Sequence, residues 1–360
     1  MLTLRIGIIG LIASLSWQTS IQAETPLKVL PSQWGVYHGA FPDLPEGPAL
    51  GIRSNVTDLE GHLAKNLAYV MIANDWVDGA NFPWDAIDEV SKMNRTPYVR
   101  MLPRSTRTQN TGIDPVYTLQ SFLAGRHDAV LQEWARNAKL TGMPLMVEFA
   151  PEANGRWYPW NGSWNGAGVT NGYGDPNLAD GPERFRDVYR RVVNIFNAVG
   201  ATNVTWVVHV DSQPRPAEAW NKMAAYYPGD QYIDWIGISV FGAQFPWEFW
   251  DSFENIFDAA YEEFKAISAT KPLAVVEFGV IEDEFDVNRK AKWLTDALKS
   301  IQDERYPRVK AISYWHESSW VPSKNNNLRI DSSPAALNAY AREIRNELFL
   351  SELDVVWPKP

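Results

Sequence analysis

The stretch PLMVEFAPEANGRWYPW, residues 144–160, begins with an apolar run and continues into a carboxyl group and a cluster of aromatic rings. The run Leu145–Phe149 has the length and composition of a strand that is buried on both faces of a parallel sheet. Glu152 follows it, at a place where a carboxyl group is poorly solvated and is rarely retained without a reason. The stretch therefore predicts a buried strand that ends at a functional edge of the sheet.

A second apolar run of the same kind, KPLAVVEFG at residues 271–279, ends in Glu277, about 125 residues after Glu152. One such glutamate alone could be a surface or salt-bridged residue. Two of them, with tryptophan and tyrosine crowded after the first, indicate sugar chemistry. Cleavage of a glycosidic bond requires a general acid and a second carboxylate, and aromatic rings provide platforms for the sugar.

The rest of the chain alternates between short apolar runs and helical patterns. The predicted strands are Gln33–Tyr37, Leu67–Ala73, Thr96–Met101, Leu145–Phe149, Val204–Val208, Asp234–Val240, Leu273–Glu277 and Val309–Trp315. The clearest predicted helix is Glu183–Val199, which has apolar side chains at helical spacing, Pro182 near its start and Gly200 just after its end. The other predicted helices are Trp84–Met93, Leu119–Leu140, Phe249–Ser268, Arg289–Ile301 and Pro334–Leu348.

Eight strands interleaved with helices predict an α/β fold, a (β/α)8 TIM barrel in a single domain. The glycine-rich signatures GxGxxG after the first strand and GxxxxGK[ST] are absent, which argues against nucleotide-binding folds. In a barrel the catalytic residues lie at the C-terminal ends of the strands. Glu152 would lie just beyond strand 4 and Glu277 at the end of strand 7.

The composition is that of a globular protein with an acidic surface. The chain has 360 residues, no cysteine, 17 tryptophans, and 43 acidic against 33 basic residues, which gives a net charge of −10. Disulfides and thiolate metal sites are excluded. The negative charge disfavours nucleic acid and anionic membranes as partners and suits a protein that acts on neutral material. We expect a monomer whose partner is a polysaccharide substrate.

Residues 1–23 have the pattern of a secretory signal. Arg5 is the basic flank, residues 6–17 form the apolar core, and the predicted cleavage follows Ala23. An uncleaved membrane anchor is the alternative, although the apolar core is short for a span. We therefore expect a mature catalytic domain over residues 24–360, secreted or periplasmic and without a membrane contact after cleavage.

The two glutamates can be assigned different roles. Glu152 precedes a crowd of aromatic residues, and apolar crowding would keep it protonated near neutral pH, so it is the predicted acid/base. Glu277 is followed by Phe278 and Gly279, and the glycine leaves room for a substrate, so it is the predicted nucleophile. Carboxyl groups from strands 4 and 7 face each other across a barrel mouth, which fits the roughly 5–5.5 Å separation of a retaining enzyme.

Other residues near the predicted strand ends are candidates for substrate binding. Trp315 could form the floor beneath the cleaved sugar or belong to the core. Asn154 could orient Glu152 or the substrate, or simply shape a turn. Arg100 could hold a carboxylate or a sugar hydroxyl, or form a plain salt bridge. The aromatic candidates, some of which would only anchor the loop, are Trp157, Tyr158, Trp160 and Trp164.

Histidines near strand ends raise the question of a metal. His38 and His209 could hydrogen-bond sugar hydroxyls, and His316 lies near the end of strand 8. No HxH or HExxH pattern accompanies them, so we predict no metal and no cofactor.

Three segments together resemble glycoside hydrolase family 26: PEANGRWYPW at 151–160, VVEFG at 275–279 and GVYHGAFP at 35–42. The resemblance extends in order over nearly all of the predicted mature chain. It implies a clan A (β/α)8 barrel that retains anomeric configuration, with Glu152 as acid/base and Glu277 as nucleophile. Most members of the family are endo-β-1,4-mannanases, and some are β-1,3-1,4-glucanases or β-1,3-xylanases.

Two positions depart from the mannanase pattern of that family. Its mannanases usually have histidine before the acid/base and tyrosine at the end of strand 6, where this chain has Pro151 and Phe241. We expect an exported endo-β-glycanase, most simply a β-1,4-mannanase. The alternatives are the same mechanism on mixed-linkage β-glucan, β-1,3-xylan or an exopolysaccharide, and a catalytically inactive barrel that only binds polysaccharide.

Overall fold

The computed structural model describes residues 27–44, 51–318 and 326–355. Its eight principal strands are β1 (Val36–Pro42), β2 (Tyr69–Asp75), β3 (Thr96–Leu102), β4 (Leu145–Phe149), β5 (Val204–Asp211), β6 (Trp235–Phe241), β7 (Leu273–Gly279) and β8 (Val309–His316). Each is parallel to the next, and β1 pairs with both β8 and β2, so the sheet closes. The predicted single-domain (β/α)8 barrel is confirmed.

Helices connect successive strands on the outside of the barrel. They are α1 (Ile52–Leu63), α2 (Trp84–Ser91), α3 (Leu119–Leu123), α4 (Asp128–Thr141), α5 (Asp180–Val199), α6 (Met223–Tyr226), α7 (Phe253–Ile267), α8 (Arg289–Gln302) and α9 (Pro334–Ile344). A short strand β9 (Phe349–Leu350) pairs with β1. In the part of the chain that the structure describes, no helix combines the length and apolar character that a membrane span requires.

The apolar core has two parts because strand side chains alternate between the two faces of the barrel wall. One part lies inside the barrel and includes Tyr37, Tyr98, Met146 and Trp235. The other lies between the strands and the helices. At the N-terminal end of the barrel, the Trp235 indole donates to the carbonyl of Val29 at 3.0 Å, so the N-terminal segment covers this end. The C-terminal end carries the predicted site.

Several boundaries differ from the sequence predictions. Strand β1 was predicted at residues 33–37 but begins at Val36, after a turn in which the Ser32 hydroxyl accepts the Gly35 amide. The predicted helix 119–140 is divided into α3 and α4, because Gly125 adopts a left-handed φ of 76° between them. Helix α1 had not been predicted. The predicted signal at 1–23 lies outside the described residues.

Candidate active site

Glu152 lies three residues after β4 and is almost buried, with 7% of its surface exposed. Its backbone has a left-handed φ of 50°, a conformation that costs a non-glycine residue of the order of 1–3 kcal/mol and that concentrates at functional sites. The Trp157 indole Nε1 donates to Glu152 Oε2 at 2.7 Å. The loop after β4 therefore holds the Glu152 carboxyl group in one direction at a local energetic cost.

Glu277 lies opposite Ser239 in the pairing of β7 with β6, directly after an irregularity in the register. The pairing of β7 with β8 is also irregular between Val275 and Phe278. Such irregularities are frequent next to active sites, where they change the direction in which a side chain points. Glu277 is only 4% exposed. Strand β7 thus directs this carboxyl group into the C-terminal mouth of the barrel.

Arg100 on β3 connects Glu277 to a second buried carboxylate. Its Nε donates to Glu148 Oε1 at 2.7 Å, and its guanidinium lies 2.5 Å from Glu277 Oε1. Burial and the charges of Glu152, Glu148 and Asp211 raise the pKa of Glu277 well above its ordinary range, although Arg100 acts in the opposite direction and lowers it. Arg100 is therefore the counter-ion of Glu277. It is buried, which agrees with the salt-bridge interpretation of this residue.

Glu148 lies in the middle of β4 and is fully buried. The Tyr98 hydroxyl donates to Glu148 Oε2 at 2.7 Å, and His209 Nδ1 lies 2.9 Å from the same oxygen. His209 Nε2 is 2.7 Å from the Ser239 hydroxyl. Burial raises the pKa of Glu148, but His209, Arg100 and the hydrogen bonds outweigh it and lower the pKa to about 2. Glu148 is thus a permanent negative charge that fixes Arg100 and His209 beneath the mouth.

Trp315, near the end of β8, forms one wall of this group. Its ring stacks on Phe41 at a centroid distance of 4.2 Å and an interplanar angle of 8°. The Arg100 guanidinium lies 4.7 Å from the Trp315 ring centroid. Because Trp315 is partly exposed and lies beside the Arg100–Glu277 pair, its position fits the predicted floor beneath a sugar.

The other predicted aromatic residues divide into two kinds. Trp157 and Tyr158 border the carboxyl groups: Trp157 bonds Glu152, and the pKa of Tyr158 is raised by burial and by the Glu152 charge. Trp160 is buried, stacks on Tyr158 at 4.4 Å and donates to the Pro151 carbonyl at 2.8 Å. Trp160 therefore anchors the loop and is not a cleft residue.

Asn154 and His209 are brought to the site but not to its surface. Asn154 is fully buried. Its side-chain amide donates to the backbone carbonyl of Asp211 and accepts from the backbone amide of the same residue. His209 is 1% exposed and contacts Glu148 and Ser239. Neither side chain can reach a sugar directly in this arrangement, so each acts on the site through a neighbouring residue.

The structure does not bring His38 to the site. His38 lies on the same face of β1 as Val36 and Ala40, which pack against the outer helices. Its Nε2 is 3.1 Å from the Tyr340 hydroxyl of α9, and its surface is fully buried. Burial lowers the pKa of His38 to about 3. The prediction that His38 binds substrate is wrong, because strand alternation turns it away from the barrel interior.

Among the described residues, one group offers three buried ligand atoms for a metal ion: Glu148, His209 and Glu277. The Arg100 guanidinium already lies between the two carboxylates, 2.7 and 2.5 Å from their oxygens. A cation there would meet a fixed positive charge. The donor set is therefore better explained as a buried ion-pair network than as a metal centre.

Sequence reasoning missed three polar residues of this site: Glu148, Asp211 and Tyr98. Glu148 stands inside the apolar run LMVEF, and Arg100 inside YVRML on the neighbouring strand. Charged residues within two adjacent buried strands require partners, so the pair could have been found by matching them. Asp211 at the end of β5 carried the same signal as Glu277, a carboxyl group at a strand end.

Comparison with known proteins supports the resemblance. A sequence profile described as Glycosyl hydrolase family 26 matches residues 117–326. The chain is similar to Endoglucanase H of Acetivibrio thermocellus, with 33% identity over 231 residues, 63% of this chain and 23% of that protein. It is also similar to the β-1,3-xylanase TXYA of a Vibrio species, with 26% identity over 176 residues, 49% of this chain and 32% of that protein. The chain thus spans about a quarter to a third of these relatives.

Solved structures with the same fold include the catalytic domain of a Bacillus sp. JAMB-750 endo-β-1,4-mannanase. It superposes with a TM-score of 0.64 at 14% identity, covering 88% of this chain and 87% of that one. An endo-β-1,4-mannanase double mutant from Cellulomonas fimi gives a TM-score of 0.60 at 17% identity, covering 88% of this chain and 72% of that one. At these identities the likeness concerns the fold.

The match to the family profile covers more than half of the chain and includes both Glu152 and Glu277. It agrees with the resemblance of the three sequence segments and with the barrel architecture. The chain belongs to glycosyl hydrolase family 26.

Proposed function

We propose that this protein hydrolyses a neutral β-linked polysaccharide internally and with retention of configuration. In the first step Glu277 attacks the anomeric carbon while Glu152 protonates the leaving oxygen. In the second step Glu152 takes a proton from water, which releases the sugar from Glu277. The observation that carries the proposal is the contrast between the two groups: Glu277 is paired with the Arg100 cation, whereas Glu152 accepts a hydrogen bond from the neutral indole of Trp157.

This pairing fits the two roles. A nucleophile must be ionised. The Arg100 guanidinium favours the ionised form of Glu277 and opposes the burial and neighbouring charges that raise its pKa well above the ordinary range. An acid/base must exchange its proton, so a fixed cation beside it would be a disadvantage. Arg100 contacts Glu148 and Glu277 but is not among the hydrogen-bond partners of Glu152. The geometry therefore favours Glu277 as nucleophile over the reverse assignment.

The catalytically inactive alternative is disfavoured by the same network. Burying Arg100 between two carboxylates carries a desolvation cost, and apolar residues of similar size would often be equally or more stable. A barrel that only bound sugar through aromatic rings would need neither Glu277 nor its counter-ion. The buried network of Arg100, Glu148 and Glu277 is expected in a protein in which Glu277 has to react.

For the polymer we propose a β-linked glucan first and β-1,4-mannan second. The 33% identical relative is named an endoglucanase, whereas the mannanases are similar in fold at 17% identity or less. The mannanases of the family usually have tyrosine at the end of strand 6. Phe241 occupies that position in this chain and lacks the hydroxyl group. The negative net charge and the partly exposed Trp315 fit a neutral sugar chain. Export through the predicted signal would bring the protein to such material.

The polymer can be identified with purified protein and a panel of mixed-linkage β-glucan, β-1,4-mannan, glucomannan and β-1,3-xylan. We expect reducing ends to appear from β-glucan, with a rapid fall in viscosity because the cleavage is internal. The Glu277→Ala variant provides the background. Hydrolysis of mannan alone would reject the glucan proposal, and binding without hydrolysis across the panel would reject the enzymatic one.

Replacing Arg100 by methionine should move the acidic limb of the kcat/KM–pH profile of the polymer reaction to higher pH. Without the guanidinium, the burial and the charges of Glu152, Glu148 and Asp211 that raise the pKa of Glu277 are no longer opposed by Arg100, so a higher pH is needed to ionise Glu277. Loss of an opposite charge at this distance corresponds to about 1–3 pH units. The control is the pH profile of the Arg104→Met variant, which removes a cation paired with Asp75 at 2.6 Å.

The Arg104→Met profile should keep the wild-type acidic limb. Because Arg100→Met leaves Glu148 buried without its cation, the double variant Arg100→Met/Glu148→Gln is included to preserve folding, checked by thermal unfolding. An unchanged acidic limb in both folded Arg100 variants would show that Arg100 does not control the ionisation of Glu277.

A further inference from the structure

The acid/base carboxyl group receives a hydrogen bond from a ring on its own loop. Trp157 lies five residues after Glu152, and its indole Nε1 donates to Glu152 Oε2 at 2.7 Å. The Trp157 ring is partly exposed, whereas the Glu152 side chain is almost buried. Because the two residues are close in sequence, the ring has to fold back along the loop to reach the carboxyl group.

Gly155 makes room for this folded-back ring. A Cβ atom at Gly155 would lie 2.3 Å from Trp157 Cζ2 and 2.4 Å from Trp157 Cε2. Carbon atoms in contact are roughly 3.5–4.0 Å apart, so the two positions exclude each other. Both atoms belong to the indole that carries Nε1. The ring can therefore donate to Glu152 only because residue 155 has no side chain.

The backbone on both sides of this contact is held in place. The Gly155 amide donates to the Glu152 carbonyl at 2.7 Å, and Gly155 pairs with Arg215 in an isolated parallel bridge. The Trp157 carbonyl accepts the amide of Asn110, on the loop after β3, at 3.0 Å. Because both backbones are fixed, a Cβ atom at position 155 would displace the ring rather than the chain.

We propose that Trp157 is a positioning residue for the acid/base and that Gly155 is the residue that allows it to act. The inference rests on the proposed function and deepens it. Trp157 acts through Glu152 and needs no contact with the reacting atoms of the sugar. The segment EANGRW, residues 152–157, thus provides the acid, the space and the donor at a fixed spacing.

The indole N–H serves both chemical steps. Because it donates to Oε2, the proton of the acid form of Glu152 is held preferentially on Oε1. In the first step this proton passes to the leaving oxygen, and the negative charge that remains on Glu152 is stabilised by the N–H. In the second step Glu152 takes one proton from the attacking water and returns to the acid form.

Other charged and titratable groups surround the two catalytic glutamates. They are Tyr158 on the loop after β4, Arg100 and Arg104 from β3 and the loop after it, Glu148 on β4 and Asp211 at the end of β5. Replacing Trp157 or Gly155 by an uncharged residue alters none of these groups. A change in pH dependence in such a variant therefore reports the hydrogen bond on Glu152.

The first test is Trp157→Phe, which removes the donor and keeps an aromatic ring. The basic limb of the kcat/KM–pH profile on polymer should move to higher pH by about one unit, because the carboxylate form of Glu152 loses a hydrogen bond. At the wild-type optimum, kcat on polymer should fall about 10- to 100-fold, because the carboxyl group is no longer held in one direction. The first step with an activated aryl glycoside should change little, since it needs no proton.

The second test is Gly155→Ala, which keeps the indole but displaces it. It should move the basic limb in the same direction, and Gly155→Ala/Trp157→Phe should move it no further than Trp157→Phe alone. The matched controls are Gly61→Ala, where a Cβ atom meets nothing within 4 Å, and Trp164→Phe, which removes an indole bond to the Arg156 carbonyl in the same loop. Both controls should keep the wild-type basic limb.

The variants are compared as folded proteins, which is checked by thermal unfolding. If Trp157→Phe slows both substrate types equally and leaves the basic limb in place, Trp157 only supports the loop or the sugar, and the proposal fails. Additive shifts in the double variant would show that Gly155 does not act through Trp157.

A measurement without substrate separates this inference from the proposed function. The indole N–H signal of Trp157 is the one that disappears from the ¹H–¹⁵N NMR spectrum of Trp157→Phe. In the wild type this signal should move with pH as Glu152 ionises. That movement should be absent in Glu152→Gln, and the signal should be displaced in Gly155→Ala. A Trp157 signal unchanged by both variants would overturn the inference even if the protein hydrolyses polysaccharide. The expected signals without hydrolysis would overturn only the proposed function.

Discussion

Replacing Glu277 by alanine should abolish hydrolysis of polysaccharide, with a loss of about 10⁴-fold or more in kcat, because no other group can form the glycosyl ester. The fold should persist, since alanine removes a buried carboxylate whose burial is unfavourable. Azide or formate should partly restore turnover of an activated aryl β-glycoside by entering the vacated space. With azide, the product should be the α-glycosyl azide, because a single displacement inverts the configuration.

The control for this variant is Glu284→Ala, on the exposed part of the loop that follows β7. This change should leave activity at the wild-type level. A Glu277→Ala protein that is folded, active on polysaccharide and insensitive to azide would remove Glu277 from the mechanism.

Replacing Glu152 by glutamine should affect substrates according to their leaving groups. Proton transfer contributes about 10²–10⁴-fold, so polymer hydrolysis should fall by that range. An activated aryl glycoside needs no proton on its leaving oxygen, so its first step should continue and the glycosyl-enzyme should accumulate. The amide keeps the size of the side chain and can still accept from Trp157, so positions in the loop are preserved.

Steady-state and burst kinetics with the two substrate types measure this difference. Azide should speed the second step of Glu152→Gln and yield the β-glycosyl azide, the opposite anomer from that expected of Glu277→Ala. An equal loss for both substrate types, with no burst, would mean that Glu152 is not the acid. The pair of azide products thus separates the two roles chemically.

The architecture could be predicted from sequence because each strand of a parallel barrel is a short apolar run between two helical patterns. The runs at 145–149 and 273–277 predicted β4 closely and β7 to within two residues. Because Glu277 and Trp315 lie near the ends of their predicted strands, the sequence also predicted that both residues lie at the C-terminal mouth of the barrel. Local composition was sufficient for these residues because burial on both faces makes the pattern strong.

What sequence could not show is which side of a strand end a polar residue faces. His38 and His209 looked alike, but β1 turns His38 outward to Tyr340 and β5 turns His209 inward to Glu148. Long-range pairs were also hidden, since Arg100 and Glu277 meet only when the barrel closes. The left-handed backbone at Glu152 and the register irregularity before Glu277 are further features that no local pattern indicated.

The central claim is that Glu277 is the nucleophile of a double displacement, and trapping the glycosyl-enzyme tests it most directly. The wild-type protein is incubated with an activated 2-deoxy-2-fluoro β-glycoside of the preferred sugar. The fluorine slows both steps, and the good leaving group allows the first to proceed, so the ester accumulates. Peptide mass spectrometry should then find the sugar on Glu277. A sugar attached to Glu148, Glu152 or Asp211, or turnover of ordinary substrate with no ester on any carboxyl group, would contradict the account.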